Sequence, residues 1–160
     1  MTDSTLVIVD LGALLPTVDF STASIQATLP HPKLHQTVKK AVENHNYDLF
    51  LVSNLIYKEQ TSTIRSWVQK HFEITKYPKH TQIKLKDNLV PEDASLGMIH
   101  MVESCVDTNA KKRNLYCKDV VVADFFAQRW SSQTGLVWSV FVLNSNDDLV
   151  LWKASFATSG

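Results

Sequence analysis

Residues 6–9, 49–52 and 137–143 are short runs dominated by Val, Leu, Ile and Phe, and together they decide most of what this chain can become. Each is too short for a helix and almost free of charge, the pattern of a strand covered on both faces. Between the first two, Leu34, Val38, Ala41 and Val42 recur at helical spacing after Pro32, opposite Lys39, Lys40 and Glu43. After residue 52 a second helical pattern carries Ile56, Ile64, Trp67 and Val68 to about His71. A strand–helix–strand–helix order with continuous apolar strands predicts a parallel sheet with helices packed on it. The expected class is α/β: one domain over residues 1–160, three layers, α/β/α, around a central, mostly parallel sheet.

The rest is read from local signals. Residues 16–30, rich in Ser, Thr and Pro, are expected to cross the surface, and residues 73–93 to form a loop with one short strand at 82–85. Residues 94–106 form a helical pattern on Leu96, Ile99, Val102 and Val106. Residues 107–113 read as a polar connector. Residues 119–130 are helical through Val122, Phe125, Phe126 and Trp130, with Gly135 as the stop. After residue 143 comes Asn144-Ser-Asn-Asp-Asp148, and residues 149–154 read as a short returning helix, with a final edge strand missing or supplied from elsewhere. Trp67 and Trp130 fall on apolar helix faces; Trp138 and Trp152 flank the last strand and are expected to be partly exposed.

Sixteen basic and sixteen acidic residues cancel, so the whole chain offers no electrostatic attraction for nucleic acid. A nucleic acid would need a local patch, and Lys111, Lys112 and Arg113 are the candidate; a solvated turn explains the same cluster. No stretch approaches the roughly 20 apolar residues of a membrane span. Cys105 and Cys117 stand in no metal or redox spacing, and a reducing intracellular setting, cytoplasm or nucleus, is expected. His31 and His35 lack further ligands to complete a zinc set. Ser53 has no His at a spacing that would make it a nucleophile.

In parallel α/β sheets ligands gather at the carboxyl ends of the strands. The first strand ends at Asp10 and the second at Ser53-Asn54, with Glu59 beyond it. The last runs into Asn146, Asp147 and Asp148, and Asp119 opens the helix before it. Carboxylates from separate elements that share a site call for a cation between them. Hard ions such as Mg²⁺ or Mn²⁺ take oxygen ligands and serve phosphoester chemistry. Strand-end and helix-cap carboxylates with no shared role are the alternative explanation.

Four stretches carry a resemblance: VIVDLGALL at 7–15, LFLVSNLIYKE at 49–59, KDVVVAD at 118–124 and VFVLNSNDDLVLWKA at 140–154. Together they resemble the PIN-like (PilT N-terminus) nuclease domain of RNA-decay and RNA-processing factors. The resemblance implies catalytic positions at Asp10, Glu59, Asp119 and Asn146. It also implies a Mg²⁺ or Mn²⁺ site on Asp10, Glu59, Asp119 and Asp147, and cleavage of single-stranded RNA. Gly12 stands where active members keep a polar group, and Asn146 where they keep Asp. These departures imply a degenerate module that binds a protein partner in an RNA-associated assembly. A second stretch, from His31-Pro32 through Leu51-Val-Ser-Asn54 to Phe72, resembles the haloacid-dehalogenase-type phosphatases. There Asp10 is the nucleophile, Ser53 the phosphate binder and Lys84 the third element, while Gly12 occupies the place of a second Asp.

Overall fold

The computed structural model describes residues 4–106 and 110–155. The chain runs β1 (Thr5–Asp10), α1 (Leu11–Leu14), α2 (Thr22–Ala27), α3 (Pro32–Glu43), β2 (Tyr47–Tyr57), a 3-10 turn (Lys58–Gln60) and α4 (Thr61–His71). It continues through β3 (Thr81–Lys86), α5 (Ala94–Cys105), β4 (Lys112–Cys117), α6 (Val120–Ser131), β5 (Val137–Leu143) and β6 (Leu149–Ser155). The strands form one sheet in the order β3-β2-β1-β4-β5-β6, parallel from β3 through β5 and closed at one edge by antiparallel β6.

Side chains on a strand alternate between faces, and β1 divides its residues accordingly. Val7 and Val9 join Leu34, Val38, Ile64, Trp67 and Phe72 in the core beneath α2, α3 and α4. Leu6 and Ile8 join Met98, Val102, Val122, Phe126 and Trp130 in the core beneath α5 and α6. This double burial is why β1 is apolar throughout, and it makes the expected three-layer α/β/α arrangement. Each such large side chain contributes roughly 1.5–3 kcal/mol when withdrawn from water.

Several local expectations give way to tertiary context. Residues 149–154 are strand, not helix: Asn144 Oδ1 accepts the N–H groups of Asn146 and Asp148 at 2.9 and 3.0 Å, and Asp147 takes a φ of 60°. That tight turn returns the chain along β5 as the edge strand. The end of the presumed connector is the start of β4, a strand too short and too flanked by charge to declare itself. Residues 16–30 include α2, whose Ile25 is fully buried. Ile56 belongs to a β2 longer than expected, bulged after Val52, where Ser53 Oγ accepts the N–H groups of Leu55 and Ile56 at 3.0 Å each. On α5 the buried stripe is Gly97, Met98, Met101, Val102 and Cys105, so Leu96 faces solvent. Trp138 is buried, whereas Trp152 on the edge strand is partly exposed. No helix among the described residues is long and apolar enough to cross a membrane.

Candidate functional site

From β1 the chain winds outward in one direction to β2 and β3, then returns to place β4 on the other side of β1. The carboxyl ends of β1 and β4 therefore flank the topological switch point, where the departing loops diverge and leave a crevice. A cavity of about 310 Å³ opens there, floored by Asp10, Gly12, Asn54, Lys118 and Asp119, with Thr17, Val18, Phe20, Leu55, Ala94 and Met98 around them.

Asp10 closes β1 and caps α1, its Oδ1 accepting the Gly12 N–H at 2.7 Å. A Cβ on residue 12 would stand 3.1 Å from that same oxygen, so a residue without a side chain leaves the carboxylate its closest approach to the backbone. Burial pushes the Asp10 carboxyl up to about 6, and the charge of Asp119 acts in the same sense. The Gly12 N–H, the Lys118 ammonium and the Lys118 backbone N–H oppose the rise.

Asp119 follows β4 and caps α6, Oδ1 accepting the Val121 N–H at 2.8 Å and Oδ2 the Ser95 hydroxyl at 2.5 Å. Its neighbour Lys118 is exposed at the pocket. Asn54, at the bulged end of β2, donates from Nδ2 to the Ala94 carbonyl at 2.6 Å and is thereby fixed against the first turn of α5. That approach depends on Gly97, where a Cβ would lie 2.8 Å from the Pro91 carbonyl and 3.1 Å from Asn54 Nδ2.

Asp10 and Asp119 are thus brought together, and the other acids named from sequence are not. Glu59 lies exposed on the 3-10 turn, outside the lining of this pocket. Asn146 and Asp147 occupy the exposed β5–β6 turn, with Asp147 Oδ1 3.9 Å from Nε2 of the buried His31. His31 itself caps α3, its Nδ1 accepting the Lys33 N–H at 3.1 Å. Lys84 donates to the Ser104 carbonyl at 3.0 Å and stays away from the pocket, so Lys118 is the cation of the site. Ser53 is buried outside the pocket lining, its Oγ accepting the two N–H groups of the bulge. The basic cluster dissolves as a surface patch: Lys111 and Lys112 are exposed, but Arg113 is only 2% exposed, its guanidinium 5.6 Å over the Trp130 ring and its Nε donating to the Ala110 carbonyl. The cluster also sits at the amino end of β4, away from the Asp10 crevice.

Lys118 is the participant that residue patterns did not single out, whereas Asn54 was already named as the end of the second strand. The available signal was position at a strand's carboxyl end, but β4 had to be recognised before Lys118 could be placed there.

Among the described residues no three His, Cys, Asp or Glu side chains gather to hold a metal ion by themselves. Two carboxylates do meet a hard divalent ion's requirement when water and a phosphate complete the shell. All the donors on this floor are oxygen or nitrogen, and Cys117 is buried behind them.

No protein-family model matches the chain, and neither does any curated protein. Solved structures do. The fold superposes on a chain of the Pnkp1/Rnl/Hen1 RNA repair complex with a TM-score of 0.62 at 16% identity, covering 90% of this chain and 43% of that one. A second structure of the Pnkp1/Rnl/Hen1 complex gives 0.62 at 18% identity, covering 90% and 47%. The chain therefore spans less than half the length of the chains it resembles, and at this identity the likeness establishes the fold.

Proposed function

We propose that this protein is a phosphomonoester-binding domain of the dehalogenase-type architecture, serving an RNA-repair or RNA-processing assembly beside a protein partner. One observation carries the reading: Asp10 and Lys118-Asp119, from adjacent strands on either side of the switch point, converge on one pocket. Two carboxylates and an ammonium suit a phosphate accompanied by Mg²⁺. Asp10 and Asp119 would hold the ion, which when bound would offset their charge and that of the phosphate. Lys118 reaches the phosphate as a mobile point charge. The shared architecture with chains of an RNA repair complex supports the RNA setting.

The arrangement favours holding over turnover. A phosphatase of this type needs an acid beside its nucleophile to protonate the departing oxygen, and Gly12 carries no side chain to do it. Ser53, the expected phosphate hydroxyl, is 2% exposed and is not among the residues that line the pocket.

The test is titration of short RNAs bearing either a terminal phosphate or a terminal hydroxyl, in Mg²⁺ and in EDTA, followed by fluorescence anisotropy. Phosphate- and Mg²⁺-dependent binding that Asp10→Asn and Lys118→Ala both weaken is the expected result. Equal affinity for the two ends would sink the proposal. Internal cleavage of the RNA in Mn²⁺, lost in Asp10→Asn, would replace it with the nuclease reading.

A further inference from the structure

The charged floor of this pocket is bordered by apolar side chains that the fold leaves in water. Val18 is 97% exposed and Leu55 53% exposed, while the half-buried Phe20 and the buried Met98 line the same cavity. Val18 and Phe20 lie on the segment between α1 and α2, and that segment is held firmly. Gln60 Nε2 donates to the Phe20 carbonyl at 3.1 Å, and Thr22 Oγ1 donates to Gln60 Oε1 at 3.0 Å. Asp19 accepts the Ser21 N–H and the Ser24 hydroxyl at 3.0 and 2.8 Å. Leu55 is fixed from the other side by the bulge that Ser53 ties. An apolar surface positioned this way beside a phosphate site is unfavourable in water and becomes favourable when a flat apolar group covers it.

Resting on the phosphomonoester reading above, we infer that this wall is a nucleoside subsite: the terminal base of a phosphorylated RNA end lies against Val18, Leu55 and Phe20 while its phosphate meets Lys118 and the aspartates. The exposure of the wall selects this ligand over a phosphotyrosine peptide. A phosphotyrosine carries its phosphate at the tip of a rigid ring and requires a shaft as deep as that ring, whereas a nucleotide bends at the sugar and can lay its base on an open wall. At about 25 cal/mol per Å² of apolar surface covered, a base that buries about 55 Å² of this wall gains about tenfold in affinity.

The experiment compares four probes by anisotropy in Mg²⁺: an RNA with a terminal phosphate on an intact nucleotide, the same RNA with an abasic terminal nucleotide, the hydroxyl-ended RNA, and a phosphotyrosine peptide. The wild type is expected to prefer the intact end over the abasic one by about tenfold, and a Val18→Ser/Leu55→Ser double variant to lose that preference. Circular dichroism melts of the variant confirm that it is folded. Equal binding of intact and abasic ends, a preference that survives the double substitution, or tighter binding of the peptide each overturns the subsite. Those results leave the phosphate reading standing if the phosphorylated ends still outcompete the hydroxyl end; loss of that difference overturns both.

Discussion

Ser95 donates its hydroxyl to Asp119 Oδ2 at 2.5 Å, so the first turn of α5 and the cap of α6 are pinned together at the rim of the switch-point crevice. Asp119 reaches its place through this bond as much as through β4. Replacing Ser95 by Ala removes a hydrogen bond to a carboxylate in a half-buried setting and is expected to cost about 1–2 kcal/mol in urea unfolding. Mg²⁺-dependent binding of a phosphorylated RNA end should weaken in parallel. Ser95→Thr, which keeps the hydroxyl, is expected to retain both properties; a Thr variant as impaired as the Ala one would refute the role given to the bond.

Asp10 gives the metal-free protein a defined pH dependence. Its carboxyl sits near 6 when folded, against 3.8 for the ordinary group, so the folded state holds the extra proton between those values. Stability from this group is therefore complete below about pH 4 and is lost as pH rises through about 6, by at most about 3 kcal/mol. In EDTA, Asp10→Asn should be more stable than the wild type at pH 7.5, and the difference should shrink toward pH 4. Chemical denaturation at several pH values measures it, and a pH-independent difference would contradict the burial argument.

Gly97 is expected to be intolerant of even one methyl group. Gly97→Ala places a Cβ 2.8 Å from the Pro91 carbonyl, a backbone atom that cannot swing aside. The variant should lose about 1–3 kcal/mol despite the better helix propensity of Ala. Thermal unfolding tests this directly; a neutral or stabilised variant would mean that the Pro91 loop yields.

The three basic residues at 111–113 separate by role. Arg113→Ala removes a buried guanidinium stacked on Trp130, together with its bond to the Ala110 carbonyl, and should destabilise by about 2–4 kcal/mol. Lys111→Ala and Lys112→Ala, on exposed side chains, should remain within about 0.5 kcal/mol of the parent. Equal effects from all three substitutions would restore the surface-patch view.

The architecture was legible wherever burial on two faces wrote itself into the chain. β1 and the center of β2 are apolar because helices cover both sides of them, β5 has one face buried against α6 and the other half-buried, and Leu34–Val38–Ala41–Val42 and Val122–Phe126–Trp130 show the matching helical stripes. β4 and β6 were not legible for opposite reasons. β4 starts with Lys112 and Arg113, and the buried Arg113 sets its guanidinium over the Trp130 ring, a contact between residues distant in sequence. β6 is an edge strand whose Val150, Leu151 and Trp152 remain largely exposed, so its apolar residues carry no clean period.

Asp10 was legible in the sequence as the end of a buried strand, because a charged residue closing a fully apolar run marks where that run ends. Asp119 was legible as the cap of a helix for a similar local reason. Which acids share a site was a different matter. Glu59, Asn146 and Asp147 also lie near strand ends, those of β2 and β5 beside β1 and β4. But β2 runs on to Tyr57, past Val52, the partner of Asp10, and the exposed β5–β6 turn carries the other two. Strand length and turn geometry as well as strand order therefore separate them from Asp10 and Asp119. That order follows from how the helices pack over the two faces, an outcome of long-range burial that no local spacing encodes. The sequence determined the strand and its terminal carboxylate; the tertiary structure gave that carboxylate Asp119, Lys118 and Asn54 as its neighbours.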